Sequence, residues 1–170
     1  QYCLAGEVKA GMLVQLDDGR TYDRFRDRVM IPIHDRRGRP IAFGGRVLRA
    51  EDQPKYMNSP QTPLFDKGQV LFGYHQAGRG IREADAAVIV EGYMDVMIPH
   101  QAGFTNVVAP MGTALSEAHL KQLQRLTKRF ILALDPDSAG IHGTLQGLET
   151  ARKTLERDWD AVFDPRGLIG

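Results

Sequence analysis

Two carboxylates one residue apart, Asp135 and Asp137, close the apolar run in ILALDPDSAG (131–140). A second closure occurs at Glu91, directly after the apolar run 86–90, and Asp95 follows four residues later. If the two runs are neighbouring parallel strands, Glu91, Asp135 and Asp137 meet at one rim, since open α/β sheets bind ligands outside the carboxyl ends of their strands. Asp95, one helical turn beyond Glu91, can point the same way. Carboxylates crowded at one edge raise each other's pKa unless something positive sits between them. A hard divalent cation such as Mg2+ does this, with oxygen ligands, retained water and substrate phosphates. Zinc is the poorer choice: Cys3 is the only cysteine, and His34, His75, His100, His119 and His142 are scattered, as surface or packing residues are. Asp-Pro-Asp-Ser also suits a plain turn followed by a helix cap. Its pairing with the acids at 91 and 95 is what favours a metal site.

The elements that must present these acids are short. The run 86–90 is continuously apolar, as a parallel strand covered on both faces requires. A helix is expected from Tyr93 to about Ile98, where Pro99 should end or kink it. A second strand follows at 107–109, then a helix capped by Ser116 and running to about Leu126, with Glu117 favourable to its dipole. The third strand is 130–134. After it, Ser138 can cap a helix whose apolar positions Ile141, Leu145, Leu148, Ala151 and Leu155 recur at helical spacing. Strands alternating with helices predict an open parallel sheet.

The first half reads as antiparallel β structure. A short apolar run at 12–16 stops at the turn signal Asp17-Asp18-Gly19. Residues 28–34 alternate, with Val29, Ile31 and Ile33 on one face and Pro32 favouring an edge or bulge. A turn at 35–39 leads into a return strand, 40–48, where Gly44 and Gly45 mark a bulge or a close backbone approach. Pro54, Pro60 and Pro63 exclude long regular elements between 53 and 73. Yet Tyr56, Met57, Leu64, Phe65 and Phe72 make that stretch an ordered loop rather than a linker. The polar stretch 79–85 is the expected boundary between the halves.

Bulk properties agree with a soluble domain of 170 residues, 42% hydrophobic and 25% charged. A disulfide framework is excluded by the single cysteine. Apolar runs as short as 86–90 and 130–134 exclude a helical membrane span. Nine arginines between residues 20 and 49 face three aspartates, whereas 130–170 carries seven acids against four bases. A basic half beside an acidic half fits a polyanion partner next to a cation site, although a solvated hairpin with scattered arginines would look similar. The chain starts with Gln rather than Met and reads as a fragment cut from a longer protein.

Three segments, VIVEGYMDV (88–96), VVAPMGTALSEAHLKQL (107–123) and LALDPDSAG (132–140), resemble the successive motifs of the Toprim fold. Bacterial primases, type IA and II topoisomerases and some nucleases share that fold. YDRFRDRVMIPIHDRRGRPIAFGGRVL (22–48) and PKYMNSPQTPLFDKGQVLFG (54–73) narrow the resemblance to the RNA polymerase domain of the bacterial replicative DNA primases of the DnaG type. The similarity covers residues 20–155 in the expected order. It implies an α/β chain (α+β overall), in which a Toprim-type parallel-sheet subdomain (84–160) follows a small, mainly antiparallel β subdomain (1–80), with 161–170 as a tail.

The activity this implies is metal-dependent nucleotidyl transfer: short RNA primers made on a single-stranded DNA template from ribonucleoside triphosphates. Glu91, Asp135 and Asp137 match the family's metal-binding acids and Asp95 its supporting acid, all four counted as catalytic. The cofactor is Mg2+, which Mn2+ can replace, and no zinc site is implied. Arg24, Arg26, Arg46, Lys55, Asn58 and Lys67 match the family's basic ridge for template and nucleotide phosphates. Tyr56 could stack on bases or simply pack, and Arg36, Arg37 and Arg39 are expected to be solvated. The further partners implied are the RNA primer and a replicative helicase, the latter bound through a C-terminal domain absent here, with a cytoplasmic monomer and no membrane.

Departures from the family pattern are Pro136 and Ser138, where Gly and a basic residue are usual, together with Pro99 and Ile141. The family's further acidic pair has no match: Asp164-Pro165-Arg166 lacks the second acid and, on the sequence, a preceding strand. That absence implies little or no activity for the fragment alone. Other readings are a Toprim nuclease or topoisomerase subunit, a haloacid-dehalogenase-type phosphatase, which also uses Asp-x-Asp after a strand, and a non-catalytic nucleic-acid-binding module.

Overall fold

Side chains along 28–34 alternate between buried and exposed positions, whereas those at 107–109 are buried throughout. The computed structural model describes residues 4–112, 114–134, 149 and 161–163. The chain divides into two compact units, Gln1–Asp66 and Lys67–Gly170.

In the first unit α1 (Leu4–Lys9) leads to a hairpin of β1 (Leu13–Gln15) and β2 (Thr21–Asp23). Asp18 steadies the connecting turn by accepting from the Arg20 backbone N–H (3.0 Å) and from its Nε (2.7 Å). An antiparallel sheet follows, in the order β3 (Arg28–His34), β4 (Pro40–Val47), β5 (Tyr56–Asn58). Pro32 lies on an edge strand, where its missing N–H costs no ladder bond. The register breaks between Ile33 and His34 and runs evenly through Gly44 and Gly45. Neither glycine is a bulge, and Gly45 marks a close approach: a Cβ there would stand 2.7 Å from Phe25 and 3.0 Å from Arg28. Strand β5 arises inside the proline-rich stretch, its three residues fitting between Pro54 and Pro60.

The β3–β4 turn is held by Asp35. Its carboxylate accepts from the backbone N–H groups of Arg39 (3.0 Å) and Arg37 (2.8 Å) and from Arg39 Nε (2.7 Å). These bonds, that from the Arg39 backbone foremost, hold the carboxyl down at about 2. Arg39 is thus tied into the turn and is not simply solvated.

The second unit is a five-stranded sheet in the order β10 (Ala161–Phe163), β9 (Phe130–Leu132), β7 (Ala87–Ile89), β8 (Val107–Pro110), β6 (Leu71–Phe72). Only β6 runs antiparallel, paired with β8. Ala87 and Ile89 face a core that includes Ile81, Leu120, Leu123 and Phe130, drawn from α2 (Tyr74–Ala84) and α4 (Glu117–Leu123) as well as the sheet. Val88 and Val90 face the other side with Val96 of α3 (Tyr93–Gln101). A continuous apolar run thus serves a sheet covered on both faces. The fold is mixed α+β, as expected.

Residues 79–85, expected as a polar boundary, form the last part of α2 and its cap; Ile81 is fully buried while Arg79 and Glu83 pair across the exposed face. Three local expectations are corrected. The helix expected to end or kink at Pro99 runs through it to Gln101, because proline removes one hydrogen bond and the bonds from Ala102 and Phe104 close the last turn. The helix after Ser116 ends at Leu123, with Leu126 packed on the core from the turn beyond. A strand does precede Asp164: β10 pairs in parallel with β9, a three-residue apolar run too short to show a period. Asp164 itself, Ser138, Gly140 and the predicted helix through Ile141, Leu145, Leu148, Ala151 and Leu155 lie outside the described residues.

Gly80 lets α2 lie against the loop before β8. A Cβ there would run into Thr105, whose backbone C and O would be 2.8 and 3.0 Å away. Alanine gains up to about 1 kcal/mol in helix propensity over glycine, but overpacking typically costs about 1–3 kcal/mol. Gly80→Ala is therefore expected to lower the unfolding midpoint of this unit; an unchanged or raised midpoint would contradict the close packing.

Candidate active site

Glu91 owes its place to the pairing of β7 with its two neighbours. The register sets Ala87 against Phe130, Val88 against Ile131 and Ile89 against Leu132. Hydrogen bonds continue past the strand ends, from Ala133 N–H to Ile89 O and from Val90 N–H to Val108 O, each 2.9 Å. Carried on by two residues, the register sets Glu91 level with Leu134, the residue before Asp135. The predicted neighbour relation of the two apolar runs is therefore present, and both chains leave the sheet at its carboxyl edge. Asp135 and Asp137 lie outside the described residues, and no group of three His, Cys, Asp or Glu side chains able to hold a metal occurs among the described ones.

The turn carrying Glu91 is fixed from both sides. Tyr93 opens α3 buried, its ring edge-on to Phe72 at 4.7 Å and 82°. Burial pushes its phenol far above the ordinary range, so it stays neutral. Asp95, exposed on the first turn, accepts from the Gly92 N–H through Oδ2 at 3.0 Å. The carboxylate thus turns back toward Glu91 and satisfies a donor that the start of a helix otherwise leaves open. Glu91 itself is exposed.

The predicted basic residues fall in two places. Arg46 is directly across from Tyr56, and Gly44 across from Asn58, so Arg46, Tyr56 and Asn58 share one face of the first unit's sheet. Two cations flank the half-buried Tyr56 ring: Arg46 at 6.0 Å and Lys55 at 5.9 Å from its centroid. Such contacts help keep two like charges side by side. Tyr56 is thus neither pure core nor free. That face is closed at Ile31 and Ile33 and opens toward Val29, which is 50% exposed, at the Arg46 end. Arg26 lies over Tyr22 at 4.9 Å and borders a cavity of about 730 Å³ with Glu7, Asp23 and Asp27. Arg24 keeps a buried Nε that meets no acceptor among the described residues. Lys67 begins the second unit, in the turn before β6.

Charge counting overstated the free basic surface. Arg28 donates to Pro54 O at 2.7 Å and to Gly45 O at 3.3 Å, and so binds the loop after β4 to the hairpin. Hydrogen bonds from Ser116, His119 and Gln122 to the carbonyls of 67–69 were also missed. His119, read as a surface or packing residue, is fully buried with both ring nitrogens engaged. The signal available was Ser116 followed three residues later by a side chain able to reach back, the spacing of a capping box.

A family model described as the N-terminal domain of the DNA primase catalytic core matches residues 2–78, and a Toprim domain model matches 85–159. Residues 85–159 are thus a Toprim domain, a metal-dependent class of fold. A DNA primase of Legionella pneumophila is 46% identical over 169 residues, which cover 95% of this chain and 29% of that protein. A DNA primase domain structure from Pseudomonas aeruginosa aligns with a TM-score of 0.85 at 46% identity, over 98% of this chain and 54% of that one. A DnaG primase catalytic domain solved bound to single-stranded DNA aligns at 0.83 with 45% identity, over 95% and 50%. The chain belongs to the bacterial DnaG-type DNA primase family and corresponds to part of its catalytic core. Because the match includes residues 2–78, it sets aside the nuclease, topoisomerase and phosphatase readings.

Asp95→Ala should lower the stability of the Toprim unit by about 0.5–1 kcal/mol, the worth of a carboxylate in a helix's first turn. Asp95→Asn, which keeps an acceptor oxygen but loses the charge, should recover only the part of the loss due to the Gly92 bond. Denaturant unfolding of the two variants checks this, and equal losses would show that the Gly92 bond contributes nothing.

Proposed function

We propose that the chain is the part of a bacterial primase that carries out template-directed synthesis of short RNA primers on single-stranded DNA. The observation that carries this reading is the parallel pairing of β7 with β9, which ends Glu91 and residue 134 side by side at one sheet edge. Glu91, Asp135 and Asp137 would hold Mg2+, with Mn2+ able to replace it. The donor set suits such an ion: carboxylate oxygens at an exposed edge, with His119 and His100 both committed to hydrogen bonds elsewhere. When bound, the ion lowers the charge on the attacking 3′ oxygen, the α-phosphate and the departing pyrophosphate.

The protein's own share is positioning, since this chemistry uses no protein nucleophile. Asp95 holds the turn that presents Glu91. Arg24, Arg26, Arg46, Lys55, Asn58 and Lys67 contact the phosphates of template and nucleotide. The cation-flanked Tyr56 supports a polyanion partner. Ribonucleoside triphosphates are the substrates and the RNA primer the product. The replicative helicase would bind through a C-terminal region of the longer primase, which acts as a monomer at the cytoplasmic replication fork. No helix among the described residues is long and apolar enough to cross a membrane.

The chain spans less than a third of the curated primases it matches, so the test uses the full-length protein. Glu91→Ala, Asp135→Ala and Asp137→Ala are each expected to cut primer synthesis by on the order of 10²-fold or more while single-stranded DNA is still bound. Near-normal synthesis in any of the three would remove that residue from the site.

A further inference from the structure

Three successive main-chain carbonyls, those of Lys67, Gly68 and Gln69, each accept a hydrogen bond from a side chain of α4 or its cap. His119 Nε2 lies 3.2 Å from Lys67 O, Ser116 Oγ donates to Gly68 O at 2.6 Å, and Gln122 Nε2 donates to Gln69 O at 2.6 Å. The donors stand at i, i+3 and i+6, a row along one side of a helix. Residues 67–69 are a turn, so their carbonyls can face the same way.

The chemistry at His119 is specific. Ser116 caps α4 by accepting from the His119 N–H at 3.2 Å, and the His119 ring reaches back to accept from the Ser116 N–H through Nδ1 at 3.2 Å. This is the reciprocal cap that Glu or Gln normally completes. A Glu carboxylate could only accept. With Nδ1 accepting, the neutral ring carries its proton on Nε2 and donates it to Lys67 O. One fully buried side chain thus closes the cap and grips the backbone of a residue read as a phosphate contact.

We infer that α4 positions Lys67: His119, helped by Ser116 and Gln122, fixes the turn from which the Lys67 ammonium reaches a phosphate. This rests on the reading of Lys67 under the proposed function. His119 is a positioning residue and need not touch the ligand itself. Holding the backbone at Lys67 removes conformational freedom that binding would otherwise have to take away.

The test uses the full chain with two readouts. The first needs no ligand: the rate at which trypsin cuts after Lys67. The second is affinity for a single-stranded oligodeoxynucleotide, and in a parallel arm for a ribonucleoside triphosphate, across a salt series. His119→Ala should speed cutting at Lys67 by about tenfold without speeding it at other sites, as expected for local opening. It should weaken binding by the same factor as Lys67→Ala and lower the oligonucleotide salt slope by about 0.7, the loss of one phosphate contact on a single strand. The double variant should bind no worse than Lys67→Ala. His119→Gln, which keeps an N–H donor, should restore both readouts.

If His119→Ala does not fold, Gln122→Ala takes its place, since that side chain is only half buried and releases Gln69 alone. Unchanged tryptic cutting, or additive losses in the double variant, would overturn the positioning role while leaving Lys67 as a contact. Faster cutting with no loss from Lys67→Ala in either arm would overturn Lys67 as a phosphate contact, and the inference with it. Loss in the oligonucleotide arm supports a template phosphate, and loss in the triphosphate arm a nucleotide phosphate.

Discussion

Parallel hydrogen bonding between Ala87–Ile89 and Phe130–Leu132 fixes where the chain leaves the sheet. Two strands that run the same way finish at the same edge, so Glu91 and residue 134 come level there. The pairing is secured from both faces: Ala87 and Ile89 sit in the α2–α4 core, Val88 and Val90 against α3. Slipping either strand by one residue would turn its buried side chains to the wrong face. Glu91 need not hold itself in place; the apolar residues before it do that.

Delivery of charge to an edge has an electrostatic cost that the chain meets locally. Asp95 lies beside the positive end of α3 and takes the Gly92 N–H, so part of its charge is neutralised by backbone. In the first unit the like charges of Arg46 and Lys55 share the face of Tyr56. Other arginines are consumed internally, Arg28 by two carbonyls and Arg20 and Arg39 by neighbouring aspartates. The free positive charge of the basic half is therefore less than its composition implies.

Much of this was legible in the sequence because it depends on local patterns. Runs ended by an acid gave the sheet edge, Ser116 gave the start of α4, and Pro32 gave an edge strand. What was not legible depends on partners far apart in the chain. The bonds from α4 to residues 67–69 span about fifty positions, and nothing in Lys67-Gly68-Gln69 announces them. Strand β10 is three residues long, and its pairing with β9 supplies what its own pattern lacks. In α2 the polar residues that looked like a boundary are the exposed face of a helix whose Ile81 is core. Pro99 was overweighted because one lost hydrogen bond is small beside the packing of α3.

Under the proposed function, Glu91, Asp135 and Asp137 serve one cation. Titration of the isotopically labelled protein with Mn2+, followed by paramagnetic broadening of amide signals, tests it most directly. The account predicts that signals at 91–95 and 134–138 broaden together at one midpoint and recover together when excess Mg2+ is added. Separate midpoints for the two segments, or broadening at only one of them, would contradict it.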